Sequence, residues 1–527
     1  MKGFKNRLII VQLFFLLGTN LHAERVIRQF VKKDYLYFSD TIEAALFDTS
    51  RKMDLRQYFL SAIYTKGSIA GPLDAENAYS RFLQYIDGIR KKNVMALKPE
   101  KLVKVLYKET HNKFFKKYEI NPEFEDIFRN GDYNCVTATL LYALLFDTLN
   151  IDYQIKESAV HVFLVALPKN KSIAIESTDP QKGYLVLNES FKNKFVDYLL
   201  AQKLVTLSEI SQEGKDAVFD KFYYARININ IQQLIALLYY NNGVKAIDNE
   251  DYHSALMFFL KSYYLYPSEK SKYLILSCIL NELNKANYTR QEDWRNYVIL
   301  SNFVGSLISV DNYCDEFLRI TNRLLIEKTD TFNYTKVFQY INQHVTDTTV
   351  LKKLSYIYHY ESGRMYLANK DYARAYPYFE QAFLLQPENY QVQNIFFETF
   401  TAALQTMNED TAMAKLEQTV DLYGEKLVNT KMYYFLAAAY LYKAQLAYTH
   451  QKIKEGDDYL LKFENTYLKY NIGQQFYELI GEAYTKPAAL FFKRNNVKKA
   501  REYIERGLKL APGHYRLTNS LKMLKQP

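Results

Sequence analysis

A fixed spacing between an alanine and a proline recurs three times after residue 250 of this 527-residue chain. In each case the proline follows the alanine by twelve residues: Ala255 and Pro267, Ala375 and Pro387, Ala500 and Pro512. A small residue lets two paired helices approach closely, and a proline ends the second helix because it cannot continue one. The spacing therefore predicts a series of paired helices in this part of the chain.

Further glycine and aromatic residues accompany this spacing. The segments carry Gly243, Ala255, Phe259 and Pro267; then Gly363, Tyr366, Ala375, Phe379, Ala382 and Pro387; then Tyr484, Ala500, Gly507 and Pro512. This pattern resembles the tetratricopeptide repeat, most strongly in the second segment. The resemblance implies an all-α solenoid over residues 226–527, with a protein or peptide partner bound on its concave face.

A cysteine opens the most apolar run of the N-terminal part. Cys135 is followed by an almost uncharged stretch that continues to Leu145, and the residues Gly131-Asp132-Tyr133-Asn134 supply a turn and two possible helix caps before it. A run this apolar predicts a buried helix. Cys135 is then expected in its first turn, where unpaired N–H groups and the helix dipole favour the thiolate.

Two β-rich runs follow, over residues 160–167 and 172–177, with a turn signal at residues 168–170. A hairpin with a loop of about four residues would pair residues whose numbers sum to about 337, and His161 and Glu176 satisfy that sum. Opposed residues point to the same face of a sheet, so the carboxylate could orient the imidazole. Asp179 is an alternative acid if the register shifts or the chain bends.

Three pieces of this segment resemble the core of the transglutaminase-like superfamily. They are Gly131-x-x-x-Cys135 with the apolar helix behind it, the run VHVFLV at 160–165, and the run IEST at 175–178. The resemblance implies a papain-like α+β domain over residues 24–225, with Cys135 as nucleophile, His161 as base and Glu176 as orienting acid. Two departures from the family pattern are Glu176 in place of the commoner Asp, and Val162 directly after the histidine.

The first 23 residues have the composition of a secretory signal peptide. Lys2, Lys5 and Arg7 precede a short apolar stretch, and an acceptable cleavage site ends at Ala23. The alternative is an uncleaved membrane anchor. No later stretch reaches about eighteen uncharged apolar residues, which predicts no transmembrane segment after signal cleavage. The chain is therefore expected to be exported to the periplasm or the cell surface.

Charge and cysteine content exclude several classes of protein. Without the signal peptide the chain has 65 basic and 58 acidic residues, which predicts weak attraction to anionic surfaces and no nucleic-acid binding. Its three cysteines are too few for a disulfide scaffold. Cys278 and Cys314 lie in helical patterns, where core packing is expected and a bridge between the two is the alternative. The sequence has no metal-ligand cluster, P-loop or dinucleotide fingerprint, so no cofactor and no metal are predicted.

Two functions remain open. The first is an exported cysteine-dependent hydrolase or acyltransferase acting on an amide or peptide bond, with the repeats as a protein-binding scaffold. The second is a non-catalytic adaptor with a degenerate thiol domain and working repeats. An open cleft in which Cys135 and His161 are within hydrogen-bond reach would favour the enzyme, and a sealed apolar pocket would favour the adaptor. Polysaccharide processing would need paired carboxylates on facing elements, which the sequence lacks.

Overall fold

The computed structural model describes residues 30–48, 53–66, 72–157, 161–167, 172–177, 183–187, 189–201, 205–223, 227–426, 430 and 432–524. The predicted signal peptide, the predicted turn at 168–170 and Asp179 lie outside the described residues.

Helices dominate the described part of the chain, which contains 24 α-helices. Those before residue 230 are α1 (Thr41–Leu46), α2 (Leu55–Ile63), α3 (Pro72–Lys91), α4 (Pro99–Phe114), α5 (Asp126–Arg129), α6 (Cys135–Thr148), α7 (Glu189–Ala201), α8 (Leu207–Glu213) and α9 (Lys215–Tyr223). Those after it are α10 (Ile231–Asp248), α11 (Tyr252–Leu265), α12 (Glu269–Lys285), α13 (Gln291–Leu300), α14 (Val310–Thr321), α15 (Thr331–His344), α16 (Thr348–Ala368), α17 (Tyr372–Leu385), α18 (Tyr390–Leu404), α19 (Glu409–Tyr423), α20 (Met432–Thr449), α21 (Ile453–Lys469), α22 (Tyr477–Lys493), α23 (Val497–Leu510) and α24 (Tyr515–Met523).

Seven short strands occur among the described residues. They are β1 (Lys117–Tyr118), β2 (Asp132–Tyr133), β3 (Tyr153–Glu157), β4 (Val162–Ala166), β5 (Ile173–Ile175), β6 (Tyr184–Val186) and β7 (Ile227–Ile229). β1 and β2 form a small parallel pair. The other five form one antiparallel sheet in the order β6-β5-β4-β3-β7.

The predicted fold class is wrong. The sequence resemblances predict a papain-like α+β domain followed by an all-α tetratricopeptide solenoid. In the described structure 74% is helical and the sheets are small, so the protein is mainly all-α. The reason lies in the lengths of the elements. The longest strands contain five residues, whereas α3 and α16 contain 20 and 21. The β-rich runs that suggested an α+β domain are thus too short to set its class.

Local side-chain caps explain where several helices begin. Asp54, Asn134, Thr206 and Asn230 each form a capping box, in which the cap side chain accepts from a backbone N–H three residues on and the residue there bonds back. Such reciprocal bonds satisfy donors that the first helical turn leaves unpaired. The start of α6, where Cys135 lies, is therefore fixed by residues next to it in the sequence.

The central strand of the larger sheet is buried. All five residues of β4 are buried, which a run of consecutive apolar residues requires because both faces of the strand must be covered. Phe163 and Val165 of β4 belong to a core cluster with Val196 of α7 and Phe219 of α9. The strand that follows His161 is thereby held rigidly in the core.

The described residues form two compact units. Residues up to Ala286 and Arg290–Phe303 belong to the first, and Asn287–Thr289 and the residues from Val304 onward belong to the second. In the first unit the fully buried Glu43 of α1 accepts hydrogen bonds from Lys261 Nζ at 2.6 Å and Tyr239 Oη at 2.8 Å. These bonds tie α10 and α11, which the sequence analysis assigns to the repeat region, to the N-terminal helices.

Glycines allow close packing within several helix pairs. A Cβ atom at Gly243 would lie 2.6 Å from Phe259 Cε1, and one at Gly363 would lie 3.0 Å from the ring of Phe379. A Cβ atom at Gly507 would lie 2.9 Å from Tyr484 Cβ. The glycine and aromatic positions noted in the sequence therefore contact each other across the pairs α10–α11, α16–α17 and α22–α23.

Candidate active site

Cys135 is the first residue of α6, as the sequence predicts. The Asn134 Oδ1 atom accepts from the amides of Val136 and Thr137, both at 3.0 Å, and Asn134 N donates to Thr137 Oγ1 at 2.9 Å. The cap thus consumes the second and third N–H groups of the helix. Within the described part of the chain the amide of Cys135 has no acceptor, so this donor is available at the helix start.

The turn before the cysteine depends on Gly131. Its φ of +89° lies in the left-handed region, and an added Cβ would lie 2.7 Å from Lys116 Cγ. Lys116 N donates to the Gly131 carbonyl at 2.8 Å, which continues into the β1–β2 pairing. This pairing sets Tyr118 beside Tyr133, with ring centroids 5.9 Å apart in an edge-to-face arrangement.

Tyr118 is a neighbour of Cys135 that sequence reasoning missed. Its side chain is half exposed, and partial burial, followed by the electrostatic interaction with Cys135, raises the pKa of its phenol. The hydroxyl therefore stays protonated and can donate a hydrogen bond. Nothing in the local sequence predicted this, because β1 contains only two residues and shows no alternation of apolar residues.

His161 and Glu176 contact each other. His161 Nε2 lies 2.7 Å from Glu176 Oε2, and each side chain is 25% exposed. The predicted register is wrong by two residues, because Leu164 pairs with Ile175 and the paired numbers sum to 339 instead of 337. A shift of two keeps both residues on the same face, and diagonal neighbours remain within reach of long side chains. The connection between the strands is longer than predicted, since Ala166 and Ile173 are the last pair.

A hydrogen bond links the cysteine helix to the histidine strand. Thr139, one turn after Cys135, donates through Oγ1 to the Val162 carbonyl at 3.3 Å. Val162 directly follows His161 in the chain. This bond therefore holds α6 in position along β4, which helps to set the distance between the Cys135 thiol and the His161 imidazole.

The three predicted site residues are brought together by this arrangement. A hydrogen bond with Cys135, and next the hydrogen bond with Glu176, raise the pKa of His161 from 6.5 to about 9, although burial opposes the change. Since Nε2 faces Glu176, Nδ1 is the ring nitrogen that remains for the thiol. His161 is therefore an imidazolium at neutral pH.

The other two cysteines differ from Cys135 in their surroundings. Cys278 is fully buried, and burial raises its pKa to about 12. Cys314 is 8% exposed, and burial raises its pKa as well. Cys135 is more accessible than either. A thiol reagent should therefore distinguish it from both.

A cavity of about 210 Å³ lies in the second unit, lined by residues of α18, α19 and α20 that include Leu404, Met413 and Phe435. Its lining contains neither a thiol nor an imidazole. The side chains with the chemistry of a catalytic site are thus those around Cys135, not those around this cavity.

None of the helices in the described part of the chain has the length and apolar character needed to cross a membrane.

The sequence matches no family model and no curated protein.

Proposed function

We propose that this protein is a cysteine-dependent hydrolase or acyltransferase that acts on an amide or peptide bond, with a site similar to that of transglutaminase-like enzymes. The observation that carries the proposal is the contact of one imidazole with both a carboxylate and the thiol at a helix start. Nucleophile, base and orienting group in mutual contact are the general signature of covalent catalysis.

In the proposed reaction the Cys135 thiolate attacks the substrate carbonyl. The amide N–H of Cys135, which has no acceptor among the described residues, donates to the oxyanion that develops. The imidazolium of His161 gives its proton to the leaving amine, the C–N bond breaks and a thioester forms. Water or an acceptor amine then attacks the thioester, His161 accepts the proton of the attacking group, and the Cys135 thiolate is released.

The protonation state of His161 supports an amide substrate. An amine is a poor leaving group until it is protonated, so amide cleavage needs a general acid. With a pKa of about 9, His161 carries the required proton throughout the neutral range. Glu176 acts through His161 as a positioning residue, because its carboxylate fixes the orientation of the ring.

The accessibility of the site supports the enzyme over the adaptor. Cys135 is half-buried, and His161 and Glu176 keep a quarter of their side-chain surface exposed. A substrate carbonyl can approach such a thiol. If the protein were a non-catalytic adaptor, Cys135 would be expected in a sealed apolar pocket. That description fits the buried Cys278 better than it fits Cys135.

We propose further roles for the remainder of the chain. The helix pairs bind the substrate protein, or a protein partner, because stacked helix pairs offer extended binding surfaces. The N-terminal 23 residues direct the chain to the periplasm or the cell surface. Both proposals derive from the sequence patterns described above.

Labelling with iodoacetamide at pH 7, followed by peptide mapping, tests the proposal. Cys135 should react at least about tenfold faster than Cys278 and Cys314, because a thiolate reacts and a buried thiol does not. His161→Ala should slow the labelling of Cys135 by about tenfold or more. Cys278→Ala is the matched control and should leave the rate unchanged. Undiminished total labelling in Cys135→Ala would remove the basis of the proposal.

A second measurement addresses the covalent step. Protein incubated with peptide mixtures and then with hydroxylamine should yield peptide hydroxamates, because hydroxylamine intercepts a thioester. The wild type should form them and Cys135→Ala should not. Hydroxamates that form equally in both proteins would contradict a thioester on Cys135.

A further inference from the structure

The positive charge of this chain is concentrated near its C-terminus. Residues 483–524 contain ten lysines and arginines but only two acidic residues, an excess of eight, whereas the whole chain has an excess of ten. This segment comprises most of α22 together with α23 and α24. Basic and acidic residues are nearly equal in number in the rest of the chain, so this segment is a distinct, strongly basic region.

The most basic part of this region extends from the end of α22 through the turn to the start of α23. All eight residues from Phe492 to Lys499 are exposed. Four of them, Lys493, Arg494, Lys498 and Lys499, are cationic, and none is acidic. No acidic side chain in the described part of the chain forms an ion pair with any of the four.

The basic surface continues onto the preceding helix pair. Arg494 donates from Nη2 to Gln451 Oε1 at 2.8 Å, which brings the turn between α20 and α21 alongside. The exposed Lys454 lies in the first turn of α21, directly after it. We call the surface formed by Lys454, Lys493, Arg494, Lys498 and Lys499 the basic edge. Lys452 lies in the turn between α20 and α21 but pairs with Glu455 at 3.2 Å, so it is not counted.

Apolar side chains are exposed beside these cations. Phe492 is 51% exposed and Val497 is 41% exposed, and both belong to the same eight-residue stretch as the four cations. An exposed aromatic ring among unpaired cations is the composition of a membrane-interface anchor, in which cations contact lipid phosphates and the ring lies at headgroup level.

We propose that the basic edge binds the surface of a membrane that contains anionic phospholipids. Charge complementarity supports this partner, because the four cations form no ion pair with any described residue and can exchange counterions for phosphates. A single-stranded nucleic acid fits less well, since such ligands are bound along a series of stacking aromatics and Phe492 is the one exposed aromatic residue of this turn; its neighbour Phe491 is 6% exposed. Binding would hold the second unit at a lipid surface, independently of the chemistry at Cys135.

The test is co-sedimentation of the full chain with phosphatidylglycerol vesicles and with phosphatidylcholine vesicles, in about 0.1 M salt, where charges on a surface still interact over roughly 10 Å. The test variant changes Lys493, Arg494, Lys498 and Lys499 to glutamine. The control variant changes the same number of exposed lysines on α4 to glutamine: Lys101, Lys104, Lys108 and Lys113. Both variants keep the N-terminal residues, so any lipid binding by that segment is common to all proteins.

We expect the wild type to bind phosphatidylglycerol vesicles more tightly than phosphatidylcholine vesicles. Each cation near an anionic surface changes affinity about fivefold, so the test variant should bind at least about tenfold more weakly. The control variant should stay within about twofold of the wild type. Replacing Lys493, Lys498 and Lys499 with arginine should preserve binding, which would show that charge is the recognised feature and that the turn tolerates substitution.

Three outcomes would overturn the inference. They are equal binding to both kinds of vesicle, equal losses in the test and control variants, and binding to a single-stranded oligonucleotide that exceeds vesicle binding and disappears in the test variant. Circular dichroism and iodoacetamide labelling of Cys135 should be unchanged in the test variant. A failure of lipid binding would therefore leave the proposal for Cys135 untouched.

Discussion

Replacing Cys135 with alanine should lower the pKa of His161. The folded protein raises this pKa from 6.5 to about 9, and the hydrogen bond with Cys135 is the largest cause, ahead of the bond with Glu176. The difference corresponds to about 3 kcal/mol of preference for the imidazolium, at about 1.4 kcal/mol per pH unit. If the thiol supplies at least half of it, Cys135→Ala lowers the pKa by at least about one pH unit.

The assay is an NMR titration of the imidazole carbon and nitrogen resonances in protein labelled at histidine. The chain has eight histidines, and the His161→Gln variant assigns the signal of interest. Glu176→Gln should lower the pKa by a smaller amount than Cys135→Ala. In the double variant, burial is left as the dominant influence, so the pKa should fall below 6.5.

Cys278→Ala is the control for removing a thiol elsewhere, and it should leave the titration of His161 unchanged. A pKa near 9 that persists in Cys135→Ala would refute the reasoning, because the imidazole could not then be in contact with the thiol. An ordinary pKa near 6.5 in the wild type would refute it equally.

Three further predictions follow from the same structure. Because the pKa of His161 is raised in the folded protein, the contribution of this imidazole to stability is complete below pH 6.5 and is lost as the pH rises towards 9. Urea unfolding should show a loss of about 1–3 kcal/mol in unfolding free energy across that range. The His161→Gln variant should not show this loss. Thr139→Val removes the bond from α6 to the Val162 carbonyl, so it should cost about 1 kcal/mol in unfolding free energy and slow the labelling of Cys135 by about threefold, the factor that a loss of about 0.6 kcal/mol represents. Gly243→Ala places a methyl group against Phe259 and should lower the free energy of unfolding by about 1–3 kcal/mol. Gly88→Ala, in open space within α3, should be neutral or stabilising by up to about 1 kcal/mol. Thermal unfolding of both variants measures the difference, and equal effects would contradict the packing argument.

The start of the cysteine helix could be predicted from the sequence because it depends on adjacent residues. Asn134 caps the helix through its own neighbours, and the apolar run behind Cys135 is buried from Val136 to Phe146. The face of the sheet to which each side chain of the two β-rich runs points could also be predicted locally, since side chains alternate along any strand. His161 and Glu176 therefore share a face although the predicted register is wrong.

The register itself, the approach of Tyr118 and the fold class were decided by the tertiary structure. Loop length sets how two strands pair, and the loop predicted between β4 and β5 was too short. Tyr118 comes under the electrostatic influence of Cys135 because β1 pairs with β2 after the turn at Gly131, and these two segments share no sequence pattern.

Sequence by itself determined the identity of the reactive groups, the local geometry around each and the clustering of cations near the C-terminus. Only the tertiary structure decided which of those groups meet and which cations lack an acidic partner. The physical reason is that caps, alternation and charge counts depend on neighbours along the chain, whereas contacts and ion pairs depend on how distant segments pack.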